Sequence, residues 1–497
     1  MTTKFVSSGV VSSGAHVSGG DELDILSGGK AVHTVLASGG VEVISKGGVA
    51  SGTVVRDHAT EYDYGRAFGT VVDSGGFEDV SKGGSASGTV VKGGGLLNVS
   101  SGGVATAVVA SSGGDNEVLH GGVAVGTTIS SGGEQGVLSA VVSSTVVSNG
   151  GEEFVNISGV AIATTVRSGG RQIVVGSASG TVVGSSGVVL IYGKASGTLV
   201  RSGGDAVINS GGVAWDSVAG DGGLVDLVSA ARMTDTQVKS GGLTIVGGDL
   251  GFGTQVSSGG VEQVYTSASA TVVSAGGLEE IFDGVAAATK VLSGGQLIVR
   301  DQGTASAMVI EAGASAVVLG GGVAAAAKVS GGTLTVSAVG QLSHGVTLEA
   351  GKVVISGVMS AFQAVKFTGS AGTLELDNLA GFQAKISGLA TSKQKIDLGG
   401  FHFGAGETRT WTQAGTSGTL TVHDGAKTAS LVLIGSYATS DFTLSDDGHG
   451  GTYIKDPRPA RLVAGMAGLP GGRAEAIAVH AGGSVSATPA SLARPLP

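Results

Sequence analysis

A Thr-x-aliphatic triplet returns every 17 to 19 residues along most of this chain, and few folds can accommodate so regular a return. It passes through Thr34, Thr53, Thr70 and Thr89 and reaches Val346 in 17 steps, a mean spacing of 18.4 residues. Two residues after each step comes an aliphatic residue, as in Leu36, Val55, Val72, Val91 and Ile129, weakened only at Ala110 and Ala219. The position between them wanders through Val54, Thr128, Gln255 and Lys290. Such period-two alternation marks a strand with one buried face. A second ladder lies four residues after each Gly-Gly or its variant: Ile44, Val80, Val99, Val118, Val137, Val155 and onward to Ile355. Every member is Val, Ile or Leu.

Between the ladders sit corners such as Ser38-Gly39-Gly40 and Ser112-Gly113-Gly114, where glycine allows the positive φ of a sharp turn. Each repeat is strand, corner, strand, corner, and one such unit cannot bury its apolar face alone. The repeats predict an all-β, parallel β-helix of about 18 coils, right-handed by the general handedness of parallel crossovers and about 85 Å long. Its narrow interior is expected to hold Val, Ile, Leu, Ala and Thr, nearly without charge. The ladder threonines share parity with the inward valines, so their hydroxyls are expected to bond along the stack. All six prolines lie at or after Pro457, as hydrogen-bonded strands require. The 94 glycines could suggest disorder, but 41% hydrophobic residues are enough for a core.

Residues 56–66 (RDHATEYDYGR) place charge and aromatics where a second-ladder aliphatic should fall, which predicts a loop bulging from the rod. From about Gly357 the repeat fades and aromatics become denser: nine of the chain's twenty lie between Ala361 and Asp456. The expected division is a β-helix over 1–356, a β-rich capping module over 357–456 with its own aromatic core, and a disordered Ala/Arg/Pro/Gly-rich tail over 457–497.

A net charge of -10 without basic runs gives no footprint for nucleic acid, and the absence of cysteine excludes disulfides and thiol chemistry. Residues 1–20 lack the apolar core of a secretory signal, and no window is apolar enough for a membrane helix.

The pattern SGG-x-x-x-V-x-x-GG-x-A-x-x-T-x-V, seen in SGGVEVISKGGVASGTVV, resembles the strand-loop-strand repeats of autotransporter passenger domains of the kind found in the AIDA adhesins. The resemblance covers roughly residues 10–350. It implies an adhesin-like protein at or beyond a Gram-negative outer membrane, acting in attachment, autoaggregation or biofilm formation. It also implies partners: cell-surface glycans or proteins, further copies of itself, and a glycosyltransferase placing heptose on Ser or Thr. An autotransporter ends in a membrane β-barrel, whereas this chain ends Ala-Arg-Pro-Leu-Pro; export by a separate secretion machine is one expectation and a truncated or split gene the other.

Exposed glycan acceptors are best sought at the corner serines Ser111, Ser112, Ser130, Ser131, Ser257 and Ser258. Parallel β-helices also house polysaccharide-cleaving enzymes, which need two carboxylates 5–10 Å apart. The densest candidate is Asp57, His58, Glu61 and Asp63, expected as a loop interaction site. Glu152, Glu153, Glu279 and Glu280 read as solvated charges flanking corners. No catalytic triad or metal-helix motif stands out. Calcium has only Asp446, Asp447 and Gly448, or Asp21, Glu22 and Asp24, to offer, so no cofactor is assigned. The expectation is a non-enzymatic adhesin, with a polysaccharide-active enzyme or a structural surface or matrix protein as alternatives.

Overall fold

The computed structural model describes residues 2–455, apart from Ser74, Ser168, Ser185 and Ser202. The tail expected over 457–497 lies outside the described residues. Each turn of the chain contributes three short strands, of four, three and two residues, as in Val41–Ile44, Val49–Ser51 and Val54–Val55. Each strand pairs in parallel with its counterpart one turn on: Val41 faces Thr60, Val49 faces Arg66 and Val54 faces Val71. The fold is an all-β parallel solenoid of about 21 turns. At the usual strand separation this is a stack about 100 Å long. No helix among the described residues is long and apolar enough to cross a membrane.

Both aliphatic ladders face inward, and Leu36, Ile44, Val55, Val80, Val99 and Val118 are fully buried. A third ladder of small residues, including Ala31, Ala50, Ala67, Ala86 and Ala105, closes the interior opposite them. Small residues are needed there because three strands and three corners must fit within one short turn.

Where the corner before a four-residue strand carries a glycine pair, as at Gly113-Gly114, the two are used differently. The first, such as Gly113, has φ +77° and open space where a Cβ would go. The second, Gly114, has no such φ; a Cβ there would overlap the carbonyl of Val91 in the turn below. In register, this second position is Gly or Ala from Gly40 through Gly351.

The sequence repeat fades at Gly357, but the stacking does not. Gly372–Leu376 pairs in parallel with Lys352–Ile355, and Gln394–Leu398 pairs in parallel with Gly372–Leu376. The ladder of threonines ends at Thr289, and its place is taken by the buried Met308, Ala327, Val346 and Val365, while Phe367 and Phe382 join the interior further on. Beyond Leu398 an antiparallel meander of Thr408–Ala414, Ser417–Asp424 and Lys427–Ile434 follows, and its last strand continues the parallel stack by pairing with Lys385–Ser387. Thr452–Lys455 then covers Gln394–Leu398 from the other direction. Trp411, Tyr437 and Phe442 pack with ring centroids 5.3 to 5.6 Å apart. This aromatic group shares one apolar core with the solenoid and does not form a separate one.

Candidate functional site: a polar spine inside the solenoid

Four-residue strands alternate, so the residue two before each second-ladder aliphatic must also point inward. That position reads Leu23, Glu42, Glu61, Glu78, Leu97, Asn116, Gln135, Glu153 and Gln172, and later Glu262 and Glu279. All of these polar residues are at most 1% exposed. The interior is therefore charged in places, contrary to the expectation of a nearly uncharged core. The two glutamate pairs read as solvated are each split by strand alternation. Glu153 and Glu279 are buried, while Glu152 and Glu280 point outward to Arg171 and Arg300, at 3.1 and 3.0 Å.

The ladder threonines face inward as expected, but several of their hydroxyls bond across the interior to these acids and amides. Thr34 and Thr53 donate to the two carboxylate oxygens of Glu42 at 3.1 and 3.0 Å. Thr89 donates to Glu78, Thr271 to Glu262 and Thr289 to Glu279. The acid side chains reach across the interior to the threonine ladder, and their carboxylates accept these hydroxyls.

Around Glu153 the polar spine is complete. Asn116 donates to Gln135 at 2.7 Å, and Gln135 donates to one oxygen of Glu153 at 3.0 Å. Gln172 and Thr164 donate to the other oxygen at 2.7 and 2.9 Å. Here the amides supply the donors that a buried carboxylate needs.

The stretch expected to bulge as a loop does not. Thr60–Asp63 is a regular strand, in register with Val41–Ile44 below and Phe77–Val80 above. Backbone hydrogen bonding along the stack holds it in line despite its charges. The corner before it is turned by Asp57 and His58, both exposed and with φ of +53° and +61°. The proposed cluster of Asp57, His58, Glu61 and Asp63 is thus divided. Asp57 and His58 lie outside, whereas Glu61 and Asp63 are fully buried. Asp63 occupies the second-ladder place between Ile44 and Val80. Glu61 stacks between Glu42 and Glu78.

Burial, above all, pushes the carboxyls of Glu42, Glu78 and Glu262 up to about 7. Burial also raises Glu61, Asp63 and Glu279 well above the ordinary range, and neighbouring carboxylates add to it. Among the described residues, carboxylates of three residues converge only at Glu61, Asp63 and Glu78.

The corner serines divide by position. Ser112, Ser131 and Ser258 are exposed at positive φ, while Ser111, Ser130 and Ser257 are half-buried beside them. The acidic turn at 446–448 is occupied by backbone: Asp446 accepts from the Gly448 and Gly450 amides, and Asp447 from His449 and Gly451. Asp21 accepts from the Thr2 amide at 2.7 Å.

Strand alternation also exposes a surface that composition does not reveal. On the outer face of the four-residue strands, one column reads Val188, Asp205, Leu224, Leu243, Val261, Leu278. A parallel column begins Leu190, Val207, Asp226, Ile245.

No family model matches the chain, and no curated protein matches it. Among solved structures, the chain is similar to the TibC-catalysed hyper-glycosylated TibA 55–350 fragment. The identity is 26%, covering 68% of this chain and 97% of that one, with a TM-score of 0.40. A tailspike protein mutant of Escherichia coli bacteriophage HK620, in complex with a hexasaccharide, is 9% identical. That match covers 92% of this chain and 84% of that one, with a TM-score of 0.16. Neither superposition is close enough to carry an argument.

Proposed function

We propose that the chain is a non-enzymatic, adhesin-like protein of a bacterial surface or its surroundings, acting through contacts along the sides of the solenoid. The observation that carries this reading is the outward apolar face of Val188, Leu190, Val207, Leu224, Leu243, Ile245, Val261 and Leu278. It runs over six stacked turns, or about 24 Å, broken only by Asp205 and Asp226. Contiguous apolar surface of that extent is a contact surface for another molecule. A flat, repetitive face suits side-by-side association of copies, in which many weak contacts add by avidity.

A polysaccharide-cleaving reading is disfavoured by the same alternation. Glu61 and Asp63, the carboxylates it would use, lie where no polymer reaches. The exposed corner serines Ser112, Ser131 and Ser258 are the places where a glycosyltransferase would find acceptors. Intact-mass measurement of the protein from its native host tests that part.

Self-association is tested with Leu224→Lys/Leu243→Lys, two outward positions whose charges remain solvated in the free protein. Sedimentation of the full chain is expected to show association weakened at least about tenfold, with stability little changed. Asp205 and Asp226 interrupt the face, and burial raises both carboxyls, with Asp226 adding to the rise at Asp205. Association is therefore expected to strengthen as acidification neutralises them. Equal association of wild type and variant, together with unchanged cell aggregation and attachment, would sink the reading.

A further inference from the structure

Burying a carboxylate is costly unless donors or a countercharge meet it. The polar spine shows what this fold does when protein donors are meant to hold an acid, for Glu153 has Gln135, Gln172 and Thr164. Nothing comparable surrounds Glu61 and Asp63. Both oxygens of each are buried and accept no hydrogen bond, as is one oxygen of Glu78. Among the described residues no Lys, Arg or His is buried with them. One carboxylate oxygen from each of Glu61, Asp63 and Glu78 lies within 4.8 Å of the others. Independently of the acids, the Thr70 hydroxyl is fully buried and close enough to Glu61 to affect its ionisation, yet makes no well-formed hydrogen bond. Asp63 also departs from the ladder it stands in: Ile25 and Ile44 precede it, and Val80 and Val99 follow. An added acid there deepens the repulsion of an existing glutamate stack, unless a positive charge is shared among them.

We propose that Glu61, Asp63 and Glu78 form a sealed oxygen-donor site for one hard divalent cation, with Thr70 as a further donor. Three carboxylates offer up to six oxygens, the number and type that Ca²⁺, Mg²⁺ and Mn²⁺ take. Oxygens within 4.8 Å of one another can surround any of the three at metal–oxygen distances of about 2.0–2.6 Å. The site lies inside the solenoid, so the ion enters as the turns close or through a local opening, and it pins two consecutive turns together, Glu61, Asp63 and Thr70 on one and Glu78 on the next.

The test uses the full chain, expressed and purified at about pH 7.5 in Ca²⁺, Mg²⁺ or Mn²⁺ chloride in turn, then desalted and assayed for metal. One equivalent per chain of at least one ion is expected. Its release to a chelator should be slow, because a turn must open, whereas an exposed acidic turn such as Asp446–Asp447 releases at once. At about 100 times Kd the ion should shift the folding equilibrium about a hundredfold toward the native state. Asp63→Val restores the aliphatic ladder and should fold; Glu61→Gln keeps the shape and removes one charge. Both should lose the slowly released ion. Three results overturn the proposal: no ion retained by wild type, retention unaltered in both variants, or only rapid release. In the first case the acids are held by protons alone.

Discussion

The stability of this protein should rise, not fall, as the pH is lowered from about 8 to 5 in the presence of a chelator. The buried acids set the sign. Glu42, Glu78 and Glu262 titrate near 7 in the folded chain against an ordinary 4.5, chiefly through burial. A group whose pKa is raised by folding contributes its full stability below the unfolded value. It loses that contribution as the pH climbs through the folded value. The loss therefore begins near pH 4.5 and is largely complete for these three just above 7, on the order of 3 kcal/mol for each. Burial also raises Glu61, Asp63 and Glu279 well above the ordinary range, so they contribute to the fall with the same sign. Urea midpoints across the range measure it. Glu279→Leu extends an aliphatic run, since Leu297 occupies the same place one turn on. It should raise the midpoint at pH 8 more than at pH 5 and flatten the profile. A wild-type midpoint that drops on acidification, or a variant with the parental slope, would contradict this account.

The second large effect is expected from a single substitution at a corner. Gly114→Val should destabilise the protein by about 4 kcal/mol or more, because its Cβ overlaps the Val91 carbonyl and the branched side chain has no exit. Gly113→Ala, its neighbour, has open space and pays only for left-handed φ, about 1 kcal/mol. Ser112 already sits at φ +52° one residue earlier, so the corner tolerates side chains in that region. Because turns contact only their neighbours, the valine's damage should be local. Hydrogen exchange should accelerate from about Val91 to Val137 and stay near wild type beyond. A Gly113→Ala cost equal to or greater than that of Gly114→Val would show that the close approach to Val91 does not govern these glycines.

The ladders were legible because hydrophobicity and period agree at Leu36, Val55, Ile44 and Val80. At Glu61 and Asp63 the two signals conflict, and expectation followed charge where the backbone followed period. Parity alone places Glu61 inside: it lies two residues before the Asp63 position, as Glu78 lies two before Val80. The same rule would have found Glu42, Gln135, Glu153, Gln172, Glu262 and Glu279. The outer apolar columns were hidden for a different reason. Val188 and Leu224 look like core residues until the register shows that Val189 and Val225 already fill the inside.

Parallel pairing from turn to turn also decides how the protein would bear a pull along its length. The ladder hydrogen bonds point along the long axis, so tension applied there loads them one rung after another instead of all at once. The chain should yield in a succession of small, similar steps. Each would pay out about 19 residues, or roughly 65 Å of slack, while the remaining rungs stay closed. A tether built this way lengthens under a gust of flow and shortens again when it passes.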